Sequence, residues 1–171
     1  MTAPIHKLSI GSKAPDFQLP NQDDEIVSLK SFSGKWLVMF FYPRDNTPSC
    51  VRFIRHFSER IDQFDSLGAK IVGISRNSVK SHINFIRKHA FKDILLLSDT
   101  ERDAIKKYNA WGIKRTDDAK CVGVKRTTYI IDPNGIVRYH STDVKIATHA
   151  EEILDVLRDL HQGDQTTVPN E

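Results

Sequence analysis

The chain has 171 residues, 39% hydrophobic and 27% charged, enough for about one compact domain that buries a core without disulfides or metals. With 25 basic and 22 acidic residues the net charge is +3, too small to point to a nucleic-acid partner. Its 2 cysteines, Cys50 and Cys121, exclude a disulfide framework and a four-thiolate zinc site. The opening MTAPIHKLSI has neither the apolar core of a secretory signal nor the arginine-rich character of a transit peptide. A cytoplasmic location is the expectation, and there a cysteine is more often catalytic or redox-active than structural.

The first thirty or so residues are short and polar, punctuated by Gly11, Pro15, Pro20 and Asn21, which predicts loops and short hairpin strands. Trp36–Tyr42 is the longest strongly apolar run. It falls far short of the ~20 residues of a membrane helix and reads as a buried strand. Cys50, Ile54, Phe57, Ile61 and Phe64 recur at helical spacing, predicting a helix from Ser49 that Gly68 closes. Ala69–Ile74 reads as a second buried strand. Ser78 is placed to cap a helix with Val79, Ile83, Ile86 and Ala90 on one face. Ile94–Leu97 is a short strand, and Asp99 precedes a helix around Glu101–Tyr108. The polar stretch Lys114–Lys120 reads as a mobile loop. Strands Thr127–Ile131 and Ile136–His140 flank Asp132-Pro-Asn-Gly135, a hairpin signal. A final amphipathic helix carries Ala150, Ile153, Leu154, Leu157 and Leu160, with Gly163 at its end.

This order predicts an α/β fold of thioredoxin-like plan, a central mixed β-sheet flanked by helices. One domain is expected over residues 1–162, followed by a flexible polar tail over 163–171.

Cys50 falls where a helix begins, after a buried strand and a polar loop. Unpaired backbone N–H groups and the positive end of the helix dipole favour a thiolate there. Thr47 stands three residues earlier, and Arg44, Arg52 and Arg55 add positive charge nearby. On the stripe 50, 54, 57, 61 the same residue reads equally well as a small core hydrophobe. The 7 histidines include no His-x-x-His or His-x-x-x-His pair, so no metal site is expected. No nucleotide-binding glycine loop is present, and no cofactor is expected.

Pro43-x-x-x-Thr47-x-x-Cys50 reproduces the P-x-x-x-T-x-x-C signature of peroxiredoxins. The wider string FYPRDNTPSC resembles the F-Y-P-K-D-N-T-P-G-C of their bacterioferritin-comigratory, or Q-type, subfamily. Gly11-Ser-Lys-Ala-Pro-Asp-Phe17, Tyr108-x-x-Trp111-Gly112 and Gly123-Val-Lys-Arg126 followed by Thr128-Tyr-Ile-Ile-Asp132 resemble the family in the same order, covering about residues 9–160. The resemblance implies an antioxidant thiol peroxidase that reduces hydrogen peroxide and organic hydroperoxides. In it Cys50 attacks the O–O bond and becomes a sulfenic acid. Thr47 hydrogen-bonds the peroxide and thiolate, Arg126 holds the thiolate and orients the peroxide, and Pro43 shields the sulfur. Without the resemblance, Arg126 reads more readily as an exposed charge at a hairpin edge. The implied partners are a hydroperoxide and a thiol reductant, thioredoxin or another, with no nucleic acid and no membrane; a monomer is the default.

Two departures stand out. Ser49 replaces the family's glycine, and Phe53 stands where a glutamate is usual, which predicts a more apolar pocket. The resolving cysteine that many Q-type members carry five residues after the first is absent, since position 55 is Arg. Either Cys121 resolves the sulfenic acid, or the enzyme uses one cysteine and an external thiol. The other class consistent with the fold is a redox sensor or binding protein with little turnover. A thioredoxin-type disulfide reductase is disfavoured, because its C-x-x-C needs a cysteine where Thr47 stands.

Overall fold

The computed structural model describes residues 8–115 and 120–166, apart from the side chains of residues 114, 115, 120, 121 and 164–166. The strands are β1 (Gln18–Pro20), β2 (Ile26–Ser28), β3 (Trp36–Phe41), β4 (Ala69–Ser75), β5 (Leu95–Ser98), β6 (Trp111–Arg115), β7 (Lys120–Val124), β8 (Thr127–Ile131) and β9 (Val137–Ser141). The α-helices are α1 (Pro48–Ser58), α2 (Ile61–Ser66), α3 (Val79–His89), α4 (Asp103–Lys107) and α5 (His149–Thr166).

A five-stranded mixed sheet, ordered β5-β4-β3-β8-β9, is the centre of the molecule. The two crossovers through helices make β3, β4 and β5 parallel, and β8 and β9 run antiparallel beside them. β3 is apolar at every position because it is covered on both faces. Trp36, Val38 and Phe40 point into a cluster with Phe53 and Phe57 of α1, Phe85 of α3 and Leu157 of α5. Leu37, Met39 and Phe41 point the other way, into Phe17, Phe32, Tyr108 and Tyr129. The Phe40 ring stacks on Phe57, centroids 4.8 Å apart, and needs the absence of a side chain at Gly73. A Cβ there would stand 2.8 Å from Phe40 Cε1 and 2.9 Å from Leu96 Cδ2.

Several expectations are corrected. The helix expected to run from Ser49 towards Gly68 is two helices, broken at Glu59–Arg60. There the Arg60 guanidinium donates to the His56 carbonyl at 2.8 Å and to Glu151 of α5 at 2.7 Å, capping α1 from outside. The buried face of α3 is centred on His82 and Phe85; Val79, Ile83 and Ile86 are only half-buried and Ala90 is exposed. The supposed loop around Lys114–Lys120 is bounded by a hairpin, β6 pairing β7 with Gly112 opposite Gly123. Its charges hid the alternation that tucks Val124 and Trp111 inward. Helix α5 passes through Gly163 to Thr166, since one glycine near a helix end costs only about 1 kcal/mol. Residues 167–171 of the expected tail lie outside the described residues.

Candidate active site

The register of the sheet builds the site. Phe41, at the end of β3, pairs with Thr127, at the start of antiparallel β8. The loop leaving β3 and the residue entering β8 therefore emerge at the same end of the sheet, beyond the carboxyl ends of the parallel strands. That loop is residues 43–47, and the residue entering β8 is Arg126.

Within the loop Asn46 adopts φ +66°, a left-handed conformation asparagine tolerates better than most residues. Thr47 is then the N-cap of α1, its hydroxyl accepting from the Cys50 N–H at 3.3 Å. Pro48 occupies the first helical turn, where a missing N–H costs nothing. Cys50 is thereby set in the first turn, at the positive end of the helix dipole. Its side chain is free of any disulfide and fully buried. Pro43 is half-buried at the start of the loop.

Arg126 closes the site from across the sheet. Its Nη2 donates to Cys50 Sγ at 3.3 Å and to Ser49 Oγ at 3.0 Å. The guanidinium lies over the Phe53 ring, 5.2 Å from its centroid. Its Nη1 is buried and has no hydrogen-bond partner among the described residues. One N–H therefore binds the sulfur while another stays available beside it. Arg55 is committed elsewhere, to the His89 carbonyl at 3.2 Å and the face of Phe91, and Arg44 and Arg52 are exposed. Of the four arginines considered from the sequence, the one that is distant in the chain meets the sulfur. The Thr47 hydroxyl, expected to face the peroxide, bonds the Cys50 N–H and, at 3.4 Å, the Arg44 carbonyl.

The AhpC/TSA family model matches residues 10–140. Peroxiredoxin Bcp of Bacillus subtilis is 34% identical over 155 residues, covering 91% of this chain and 98% of that protein. Peroxiredoxin Bcp of Xanthomonas campestris is 38% identical over 136 residues, covering 77% of this chain and 81% of that protein. The chain belongs to the AhpC/TSA family, among the peroxiredoxins of Bcp type. Among solved structures, Xylella fastidiosa PrxQ superposes with a TM-score of 0.83 at 30% identity, covering 90% of this chain and 98% of that one. Xanthomonas campestris peroxiredoxin Q superposes with 0.79 at 34% identity, covering 85% and 91%. The thioredoxin-like fold expected from element order is that of these peroxiredoxins.

Phe53, which takes the place of the family's usual glutamate, meets the edges of Phe40 and Phe57 and stacks on His149, centroids 5.6 Å apart. His149 is itself buried. Its Nε2 meets the Thr128 hydroxyl at 2.7 Å and its Nδ1 has no partner among the described residues. Burial pushes its pKa down to about 4, so the ring is neutral near pH 7. Cys121 lies on β7 opposite Lys114; the choice between a resolving Cys121 and a one-cysteine route concerns a side chain outside the described residues.

Sequence reasoning missed Asp45, within the loop, and His82 of α3, which are buried against each other. The signal was available: 82, 85, 86 and 89 share a helical stripe, so His82 falls with Phe85 on the inward face. A cavity of about 530 Å³ lies at the opposite end of β3 and β8, around Leu37 and Ile131, and includes none of the site residues.

Proposed function

We propose that this peroxiredoxin reduces hydroperoxides with Cys50 as nucleophile and Arg126, Thr47 and Pro43 as the groups that shape the attack. The observation that carries the reading is the Arg126 Nη2 donor 3.3 Å from a fully buried Cys50 Sγ, with a second donor unused beside it. The thiolate attacks the terminal peroxide oxygen. An S–O bond forms as the O–O bond breaks, sulfur is oxidised to sulfenic acid, and the departing alkoxide or hydroxide takes a proton from water. Charge moves from sulfur to oxygen along that line. A forked guanidinium that serves both ends stabilises the transition state more than the ground state. Thr47 holds the Cys50 amide and fixes the first turn, while Pro43 limits water at the sulfur.

Xanthomonas campestris bacterioferritin comigratory protein, 33% identical with a TM-score of 0.79, has been studied for its alkyl peroxide reduction activity. A substrate range including alkyl hydroperoxides fits the apolar ring of Phe53 beneath Arg126. The cycle closes when a thiol attacks the sulfenic acid, releases water and is itself exchanged by a second thiol. Thioredoxin or another cytoplasmic thiol fills that role, acting either on Cys50 directly or on a Cys50–Cys121 disulfide, and a monomer suffices because every proposed catalytic residue comes from one chain.

Peroxide consumption coupled to thioredoxin, thioredoxin reductase and NADPH tests this. Cys50→Ser should abolish turnover, and activity surviving that change would refute the proposal. Full coupled turnover in Cys121→Ser would assign the one-cysteine route; its loss, with Cys50 oxidation intact, would assign Cys121 as the resolving thiol.

A further inference from the structure

The loop between β3 and α1 ends at Thr47 and leads into Cys50 in the first turn of α1, and it is fixed by groups that do not touch the sulfur. Asp45 is buried and its carboxylate takes three partners. The Tyr42 hydroxyl donates to Oδ1 at 2.6 Å, the Ser81 hydroxyl donates to Oδ2 at 2.8 Å, and His82 Nδ1 lies 2.8 Å from the same Oδ2. The Asp45 N–H donates to Asn77 Oδ1 at 3.0 Å, which also receives the Ser75 hydroxyl at 2.9 Å. His82 is fully buried, with Nε2 3.0 Å from the Leu97 carbonyl. The loop is thus tied to Tyr42 just after β3, to α3 and the turn before it, and through His82 to β5.

Donor and acceptor chemistry fixes the proton count. A carbonyl only accepts, so Nε2 of His82 carries a hydrogen. A 2.8 Å contact between Nδ1 and a carboxyl oxygen requires a second hydrogen between them, on the ring or on Asp45. In either form the pair has no net charge. The groups facing it are the hydroxyl of Tyr42, the residue after β3, Ser81 from α3 and the Leu97 carbonyl from β5. Tyr42 remains a phenol, because burial and then the Asp45 charge hold its pKa well above the ordinary value. An unpaired carboxylate at position 45 would set a negative charge five residues before the thiolate. A neutral pair avoids that and still ties the backbone down.

We propose that Asp45 and His82 are positioning residues, a buried charge-neutral latch that pins the β3–α1 loop against α3 and so holds Thr47 and Cys50 in place for attack on the peroxide. This rests on the peroxidase reading of Cys50. The latch acts oppositely on the two half-reactions. It favours oxidation, which needs the closed loop, and opposes reduction, because the fully buried sulfur meets a thiol only after the loop opens.

His82→Gln and Asp45→Asn test it in the full chain. Removing one partner of a buried pair leaves the other uncompensated, so exchange of the hydrogen-bonded Asp45 and Cys50 amides should rise at least ~100-fold. The amides of Ile153 and Leu157 in α5 should exchange as in the wild type. Cys50 oxidation by hydrogen peroxide should slow by about tenfold or more, while reduction of the sulfenic acid by dithiothreitol should accelerate. Unchanged exchange at the position-45 and Cys50 amides, an equal rise in α5, or parallel slowing of both half-reactions would overturn the latch. If the variants fail to fold, imidazole ¹⁵N and carboxyl ¹³C spectra of the wild type decide: a ring with bare Nδ1 beside an ionised Asp45 would refute the neutral pair. Exchange and spectra need no peroxide, so they stand apart from any failure of the peroxidase reading.

Discussion

Replacing Arg126 by methionine keeps an unbranched stem over Phe53 and removes the guanidinium. Two donors go with it: Nη2, 3.3 Å from Cys50 Sγ, and the unpartnered Nη1 beside it. A hydrogen bond to a charged acceptor contributes about 1.5–3 kcal/mol. Loss of one donor aimed at a developing oxyanion raises a barrier by about 2.7–4 kcal/mol. Because one guanidinium serves both roles the two figures overlap, and the larger sets the expectation, a loss of ~10²–10³ in the rate of Cys50 oxidation. Arg126→Lys keeps the charge and loses the fork, so it should fall between. Quenched-flow mixing with hydrogen peroxide, followed by dimedone trapping of the sulfenic acid, measures that step without any reductant. The unfolding midpoint should also fall, because the hydrogen bonds to Cys50 Sγ and Ser49 Oγ and the contact over the buried Phe53 ring are lost with the guanidinium. Oxidation within threefold of the wild-type rate would refute the assignment of Arg126.

Thr47→Val removes the cap of α1 and should lower stability by about 0.5–2 kcal/mol in urea, with slower Cys50 oxidation; unchanged stability would show that the 3.3 Å cap is idle. Gly73→Ala drives a methyl into Phe40 and Leu96 and should cost about 1–3 kcal/mol by the same titration. His149 stays neutral in the fold down to about pH 4 and protonates near pH 6.5 when unfolded. Its folded pKa is depressed, so its contribution is complete above pH 6.5. On the order of 3 kcal/mol is then lost as the pH falls towards 4. His149→Gln should flatten the stability curve over that window, and identical curves would contradict the burial argument. Phe53→Glu gives Arg126 a carboxylate partner and should lower the rate with alkyl hydroperoxides relative to hydrogen peroxide; an unchanged ratio would remove Phe53 from substrate choice.

The parts of the fold legible in the sequence are those governed by neighbours in the chain. Continuous apolar runs gave β3 and β4, Ser78 capped α3 as its position implied, and Asn-Gly turned β8 into β9. The failures share a cause. The break between α1 and α2 depends on Arg60 finding Glu151, far along the chain, and the inward face of α3 depends on Asp45 receiving His82. Hairpin β6–β7 escaped notice because its charged ends masked the alternation of its strands.

For the candidate site the division is sharper. Pro43, Thr47 and Cys50 lie within eight residues, so a strand end, a cap and a helix start place them by local hydrogen bonding, and the sequence by itself determined that arrangement. Position in the chain could not choose among the arginines; only the family resemblance singled out Arg126. Arg44, Arg52 and Arg55 are close in the chain, yet Arg126, 76 residues from Cys50, is the one on the sulfur. That choice, like the Asp45–His82 pair, follows from the antiparallel register of β3 with β8 and the packing of α3 on the sheet. Such long-range contacts are paid for by burial of the whole core, and no local segment encodes them.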